Sequence, residues 1–225
     1  MSYPATKAQL AGPPSASLGD WLTEVLKERI AGGGYLPGDW VREPALQREF
    51  GMSNGPVREA LQNLIATGVL VREARRGVRV VDLSDAEVVE LFQVRLALLE
   101  LAAELAARVA RPQDLRPARA LLETIERTVR DRDIEALMPA GGALVDWVCR
   151  TTGNRQLVDA WERLTIKSRV YIYTSLKACP DLDRVGQLWR SLVEAIAGNE
   201  PQLARKAARL MFRRTIDDLG LDGGF

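Results

Sequence analysis

The feature that most constrains the fold is a three-residue turn, Gly51-Met52-Ser53, between two short segments whose apolar residues have helical spacing. The first segment opens at Pro44, and the second runs from Ser53, a residue type that caps helices, to Gly68. A glycine-bearing turn of this length lets two helices cross steeply. We therefore expect a helix-turn-helix at this point in the chain.

A β-hairpin with a basic tip is predicted directly after these helices. Two valine-rich runs typical of strands, at 69–71 and 78–81, are joined by Glu-Ala-Arg-Arg-Gly. From Arg58 to Arg79, five arginines are opposed by two glutamates, a balance that suits phosphate groups. With an amphipathic helix from about Ser17 to Ala31, the order predicts a winged helix-turn-helix over 17–81 that binds double-stranded DNA. The alternative is a small α+β domain with an arginine-rich, solvated surface.

Residues 82–225 are predicted to be helical to the end. Ser84, followed three residues later by Glu87, forms a capping box for a helix that reaches about Val109. Further helices are expected at about 112–130, 133–150, 155–176, 181–197 and 200–219, with Asn199 as the N-cap of the last. Short connections predict antiparallel neighbours. The expected fold class is mainly α, with an N-terminal winged helix-turn-helix followed by an all-α helical-bundle ligand-binding domain.

Composition excludes several classes of protein. The 225 residues include no histidine, which excludes histidine-dependent catalysis and imidazole metal sites. Cys149 and Cys179 are too few for a thiolate zinc cluster, and a reducing cytoplasm is the simplest setting. Residues 1–16 are predicted to be a disordered tail. No run of about 18 apolar residues predicts a membrane span. Without a nucleophile–base pair, we expect no catalytic residue and no cofactor.

Several stretches of the chain resemble a known family. LQREFGMSNGPVREALQNLIATGVLVREARRGVRV is similar to the DNA-binding half of GntR-type transcription regulators. LFQVRLALLELAAELAA, TTGNRQL and LWRSLVEAIAGNEPQLARKAARLM are similar to the all-helical half of the FadR-like (FCD) subgroup. The resemblance covers about residues 18–219. It implies a homodimeric repressor or activator. Its two winged helix-turn-helix units bind a short palindromic operator, while residues 82–225 dimerise and bind a small effector.

The resemblance places the DNA contacts at the start of the third helix and at the hairpin tip. These positions are Ser53, Asn54, Gly55, Arg58, Arg75, Arg76 and Gly77. Arg58 can bond guanine or phosphate, although an ion pair with Glu59 or Glu49 is the alternative. The family usually has Arg-Thr where this chain has Asn54-Gly55. Because Asn prefers adenine edges, we expect an operator that differs from the usual half-site, or weaker binding.

Many members of this subgroup hold a divalent metal with one Asp and three His. The matching positions here are Gly141, Val145, Trp189 and Met211, none of which binds such a cation well, so no metal is expected. Helical spacing also places them on core-facing stripes. Either the apolar cavity admits an apolar or aromatic effector, with or without a carboxylate, or Trp189 and Met211 fill it. The second alternative is a repressor that needs no effector.

Arg95 is a charged residue on an otherwise apolar stripe, so it needs a partner. It could anchor an anionic effector, pair internally with a carboxylate such as Asp146, or contact a second subunit. Arg169, Tyr171 and Tyr173 are weaker candidates for polar groups at the same site. Gly141-Gly142 in mid-helix indicates either a kink or close helix packing.

Overall fold

A computed structural model describes residues 17–224 of the chain. The predicted disordered tail, 1–16, lies outside the described residues. The chain divides into two compact units, one up to Leu83 and the other from Ser84 onward. The predicted fold class is confirmed, with three helices and a small sheet in the first unit and a helical bundle in the second.

The helices of the first unit begin and end where local sequence signals predict. They are α1 (Leu18–Ala31), α2 (Glu43–Phe50) and α3 (Asn54–Ala66). Ser17 caps α1, its hydroxyl accepting from the Asp20 amide at 2.9 Å. Gly51 ends α2 in the left-handed conformation, φ 63°, which glycine adopts without steric cost. The fully buried core of these helices consists of Leu22, Leu26, Leu46, Val57, Leu61 and Leu64.

The sheet contains one strand more than the sequence patterns predict. The described strands are β1 (Trp40–Val41), β2 (Leu70–Glu73) and β3 (Gly77–Val80), antiparallel in the order β1-β3-β2. The hairpin of β2 and β3 is confirmed, and Glu73 pairs with Gly77 next to its tip. Sequence analysis missed β1 because two residues are too short to show an alternating pattern.

The second unit is a bundle of long helices. They are α4 (Asp85–Val109), α5 (Arg116–Arg130), α6 (Ile134–Thr151), α7 (Arg155–Ala178), α8 (Leu182–Ala197) and α9 (Pro201–Asp218), with a 3-10 turn at Pro112–Leu115. The capping box at Ser84 is confirmed, since the Ser84 amide donates to Glu87 at 2.9 Å. Glu100 of α4 is buried and pairs with Arg205 at 3.2 Å, which ties α4 to α9.

The predicted N-cap of α9 is wrong by one residue. Glu200 occupies the cap position, while Asn199 lies in the loop with φ 54°. The Asn199 side-chain amide instead donates to the carbonyl of Ala107 at 2.9 Å, near the end of α4. Asparagine tolerates a left-handed backbone, so it suits this loop position better than the cap.

Candidate nucleic-acid interface and buried arginine

The start of α3 has exposed hydrogen-bonding groups. Ser53 has the extended backbone of an N-cap, φ −71° and ψ 172°, but its hydroxyl makes no capping bond. Ser53, Asn54 and Gly55 are all exposed. Because the amides of a helix's first turn lack intrahelical acceptors and lie at the positive end of the helix dipole, this terminus can accept an anion such as phosphate.

Asn54 is held from the preceding helix. Gln47 of α2 donates its side-chain amide hydrogen to the Asn54 carbonyl oxygen. Next to it, Gly55 has no atom within 4 Å of where a Cβ would stand, so the surface there is open. Sequence analysis missed Gln47, which lies seven residues before Asn54 across the turn. The sequence signal that could have identified Gln47 is its position in α2, on the face toward the turn.

Arg58 forms a different ion pair from those considered in the sequence. Its Nε lies 3.2 Å from Glu43 Oε2, and its side chain remains 66% exposed. The alternatives Glu59 and Glu49 are wrong because each has another partner, Ser17 and Arg29 respectively. Since an exposed ion pair contributes little, the guanidinium can exchange Glu43 for a phosphate or a base.

The hairpin tip projects two exposed arginines. Arg75 has φ 64° and Gly77 φ 119°, and these left-handed residues turn the chain between β2 and β3. Arg76 Nη1 lies 3.7 Å from Glu73, a contact that leaves Arg76 largely in solvent. Arg75 and Arg76 therefore form a cationic tip able to contact a DNA backbone.

The tip is braced by two residues that sequence analysis missed. The Arg42 guanidinium lies 4.8 Å from the centre of the Trp40 ring and donates to the carbonyl of Arg76 at 3.0 Å. Trp40 belongs to β1, the strand that the sequence patterns also missed. The brace holds the backbone of the tip in place.

In the second unit, the four positions that match the subgroup's metal ligands are apolar as predicted. Gly141, Val145 and Trp189 are buried, and Met211 is half-buried. A Cβ on Gly141 would stand 3.0 Å from Cζ2 of Trp189, so the indole packs directly on the α6 backbone. This contact favours close packing over a kink at Gly141. Among residues 17–224, no group of three or more Cys, Asp or Glu side chains is placed to hold a metal ion.

Arg95 is buried, and its guanidinium stacks on an aromatic ring. It is 3% exposed and lies 3.9 Å from the centre of the Trp161 ring. Its Nη1 donates to the Thr165 hydroxyl at 3.1 Å, while its buried Nε has no hydrogen-bond partner among the described residues. Desolvation lowers the pKa of Arg95 to about 9, so the side chain stays cationic at neutral pH.

The internal ion pair with Asp146, one of the alternatives considered for Arg95, is not formed. Asp146 acts on Arg95 only through its charge, which raises the pKa of Arg95. Partial burial raises the pKa of Asp146, and Arg150, a hydrogen bond from Trp161 and the charge of Arg169 oppose that rise. The structure therefore brings Arg95, Asp146, Trp161 and Thr165 together, with Arg169 near Asp146. We call the first four the arginine cluster.

Tyr173 has a separate set of contacts. Its hydroxyl donates to Glu135 at 3.0 Å, and Lys177 lies 2.8 Å from the same carboxylate. Tyr173 is eight residues beyond Thr165 on α7, about 12 Å along the helix. Trp161, Thr165 and Cys149 were not predicted as site residues, because nothing local in the sequence links them to Arg95.

These features define a class of protein: a winged helix-turn-helix unit with an exposed basic surface, followed by a helical bundle. The family model described as "Bacterial regulatory proteins, gntR family" matches residues 20–80. The model described as "FCD domain" matches residues 90–214, which is more than half of the chain. The chain therefore belongs to the GntR family, with an FCD domain, and is a DNA-binding transcriptional regulator. Its family and relatives are transcription regulators rather than enzymes.

Similar proteins support this assignment. A probable D-xylose utilization operon transcriptional repressor of Paenarthrobacter nicotinovorans is 30% identical over 77% of this chain and 76% of its own length. The gluconate operon transcriptional repressor of Bacillus licheniformis is 23% identical over 92% and 88%. The structure of McbR/YncC from E. coli shares the fold, with a TM-score of 0.81 at 21% identity over 91% of this chain and 98% of that one.

Between residues 17 and 224, no helix combines the length and the apolar character that crossing a membrane requires.

Proposed function

We propose that this protein is a cytoplasmic repressor that binds a palindromic operator as a homodimer and changes its affinity when a small organic anion binds the helical unit. The observation that supports an effector is the buried Nε of Arg95, which has no hydrogen-bond partner among the described residues. Relatives named as operon repressors support repression.

Operator contacts are assigned to the exposed groups of the first unit. The α3 start would hold one phosphate, with Arg58 on a base or a second phosphate, and the hairpin tip would approach the neighbouring backbone. The proposed contact residues are Ser53, Asn54, Gly55, Arg58, Arg75, Arg76 and Gly77. Gly77 contributes backbone only, at a φ of 119° that favours glycine.

The dimer is assigned to an apolar face of α4. Residues at heptad-like spacing leave this face apolar and partly in solvent: Val94, Ala97, Leu98, Leu101 and Leu105. Glu90 lies at one end of the face and Arg108 at the other, where Arg108 also pairs with Glu104 at 2.7 Å and keeps 55% of its side chain exposed. Antiparallel pairing with a second copy places each glutamate beside an arginine, whereas parallel pairing opposes like charges. A twofold dimer of this kind requires a palindromic operator.

The effector class follows from the arginine cluster. A buried guanidinium with an unsatisfied donor favours a carboxylate, and the Trp161 ring stacked on it favours an apolar or aromatic body. The buried Val145 and Trp189 are further proposed contacts of that body. Arg150 and Arg169 are further cations near Asp146. Met211 and Tyr173 would border the site rather than hold the anion.

The second candidate is a repressor that needs no effector. The observation in its favour is the contact between Trp189 and the Gly141 backbone, because the indole occupies the space that a ligand would need. The two candidates share the DNA-binding unit and differ only in whether the bundle binds a ligand.

A thermal-shift screen distinguishes them. The full chain is heated with aliphatic and aromatic carboxylates, and matching amides serve as uncharged controls. A binding carboxylate raises the melting temperature in a concentration-dependent way, because a ligand of the native state stabilises it by mass action. The same compound must change retention of the protein's own promoter fragment. No shift by any carboxylate would select the effector-independent repressor.

A further inference from the structure

The bond from Gln47 to Asn54 bears on how the α3 start can recognise DNA. Asn54 is exposed at the first position of α3, and Gln47 of α2 donates to its side-chain oxygen. A free asparagine amide can rotate and exchange its donor and acceptor ends. In the structure Gln47 supplies the donor, so the Asn54 oxygen faces α2 and the Asn54 nitrogen keeps its two hydrogens free.

The groups that Asn54 keeps free match one base. Its oxygen has a second lone pair, and its nitrogen has two hydrogens. In the major groove, adenine offers an acceptor at N7 and a donor at N6, so an asparagine amide can bond both atoms at once. Gly55 leaves open space beside Asn54, because nothing lies within 4 Å of where its Cβ would stand.

We propose that Gln47 is a positioning residue that orients Asn54 to recognise an adenine in each half-site. The inference rests on the proposed binding of an operator by α3, and it adds a residue of α2 to the determinants of specificity. Gln47 is half-buried, and its role is to hold the amide before DNA arrives, which reduces the ordering cost of forming two hydrogen bonds.

The experiment is selection of duplexes from a random library by the full-length protein and its variants. The wild type should enrich a half-site with adenine at one position, preferred about tenfold over other bases. Asn54→Ala should make that position indifferent and leave the others unchanged. Gln47→Met removes the donor at similar volume and should reduce the adenine preference several-fold. Gln202→Met, at an exposed position of α9 in the second unit, is the control and should change nothing.

Gln47→Glu provides a second, directional readout. A carboxylate accepts hydrogen bonds, so Asn54 would turn its nitrogen toward position 47 and its oxygen toward the groove. The preference should then move from adenine toward cytosine, which presents the N4 donor. If the bond between α2 and α3 were purely structural, its loss in the Gln47 variants would lower the melting temperature and leave the base preference unchanged.

The outcomes separate this inference from the proposed function. Adenine preference retained in both Gln47 variants overturns the positioning role, and an unchanged preference in Asn54→Ala overturns recognition by Asn54. A wild-type protein that enriches no half-site overturns operator binding itself.

Discussion

Two arginines of this chain have opposite environments and therefore opposite roles. Arg58 keeps 66% of its side chain in solvent beside Glu43, while Arg95 is 3% exposed and has no carboxylate bonded to it. An exposed cation can exchange partners at little cost, which suits a DNA contact. A buried cation costs free energy unless its donors are satisfied, which suits a ligand site.

Replacing Arg58 with alanine should weaken specific operator binding. Loss of one arginine contact to a base or phosphate costs about 1–3 kcal/mol, or roughly one to two orders of magnitude in affinity. Fluorescence anisotropy on the promoter fragment measures it. Arg130→Ala removes the same charge from the helical unit and should leave binding unchanged. Equal binding by Arg58→Ala and wild type would contradict the role.

Replacing Arg95 with methionine should stabilise the unliganded protein. The exchange removes a buried, partly unsatisfied charge. Replacing such a charge with a well-packed apolar side chain of similar length often leaves the free energy of unfolding unchanged or raises it by about 1 kcal/mol or more. Thr165 keeps its bond to the Trp161 carbonyl at 2.9 Å, so no new unsatisfied donor is created. Urea unfolding measures the free energy. A loss of stability would show that Arg95 is structural rather than reserved for an anion.

At the scale of elements, α4 has two different faces. One packs into the bundle through residues such as Phe92 and Leu99, each 1% exposed. The other leaves Val94 54% and Leu101 44% exposed. Single exposed apolar residues are ordinary, but a row at heptad-like spacing is typical of a surface that packs against another helix.

Replacing Leu101 with aspartate should convert the proposed dimer into a monomer. Two carboxylates would lie close to the twofold axis, where burial and like charge both oppose association. Sedimentation equilibrium at micromolar concentration measures the change. Leu36→Asp is the control, because Leu36 is 49% exposed and lies in the first unit. A dimer that survives Leu101→Asp places the interface elsewhere.

At the scale of the whole molecule, net charge does not reveal DNA binding. The formal charge is +1 over 225 residues, so attraction to DNA must come from the local arginines of the first unit. Arg58, Arg75 and Arg76 from each subunit would supply about six phosphate contacts in the proposed dimer.

Operator affinity should therefore fall steeply with salt. Releasing counterions from about six phosphates predicts a slope of log K against log salt near −5. Titrations at several potassium chloride concentrations measure it. Removing Arg75 should flatten the slope and weaken all sequences alike, because a phosphate contact carries no base preference. A slope near zero would be inconsistent with phosphate contacts by the hairpin tip.

The sequence by itself determined the helices, the β2–β3 hairpin and their order, but not the short strand β1. The Gly51 turn, the capping box at Ser84 and the hairpin of β2 and β3 depend on residues close together in the chain, whose patterns carry their own physical meaning. The resemblance of residues 18–219 to the GntR and FCD regulators was readable for the same reason. The core-facing positions of Gly141 and Trp189 also followed from helical spacing.

Only the tertiary structure decided which side chains of different helices contact each other. The pairing of Arg58 with Glu43, the bond from Gln47 to Asn54 and the stacking of Arg95 on Trp161 join residues from different helices. Local patterns place a side chain on a face, but they do not specify which residue of another helix lies opposite. That choice depends on how whole helices pack, since burial and close contact are properties of the assembled core.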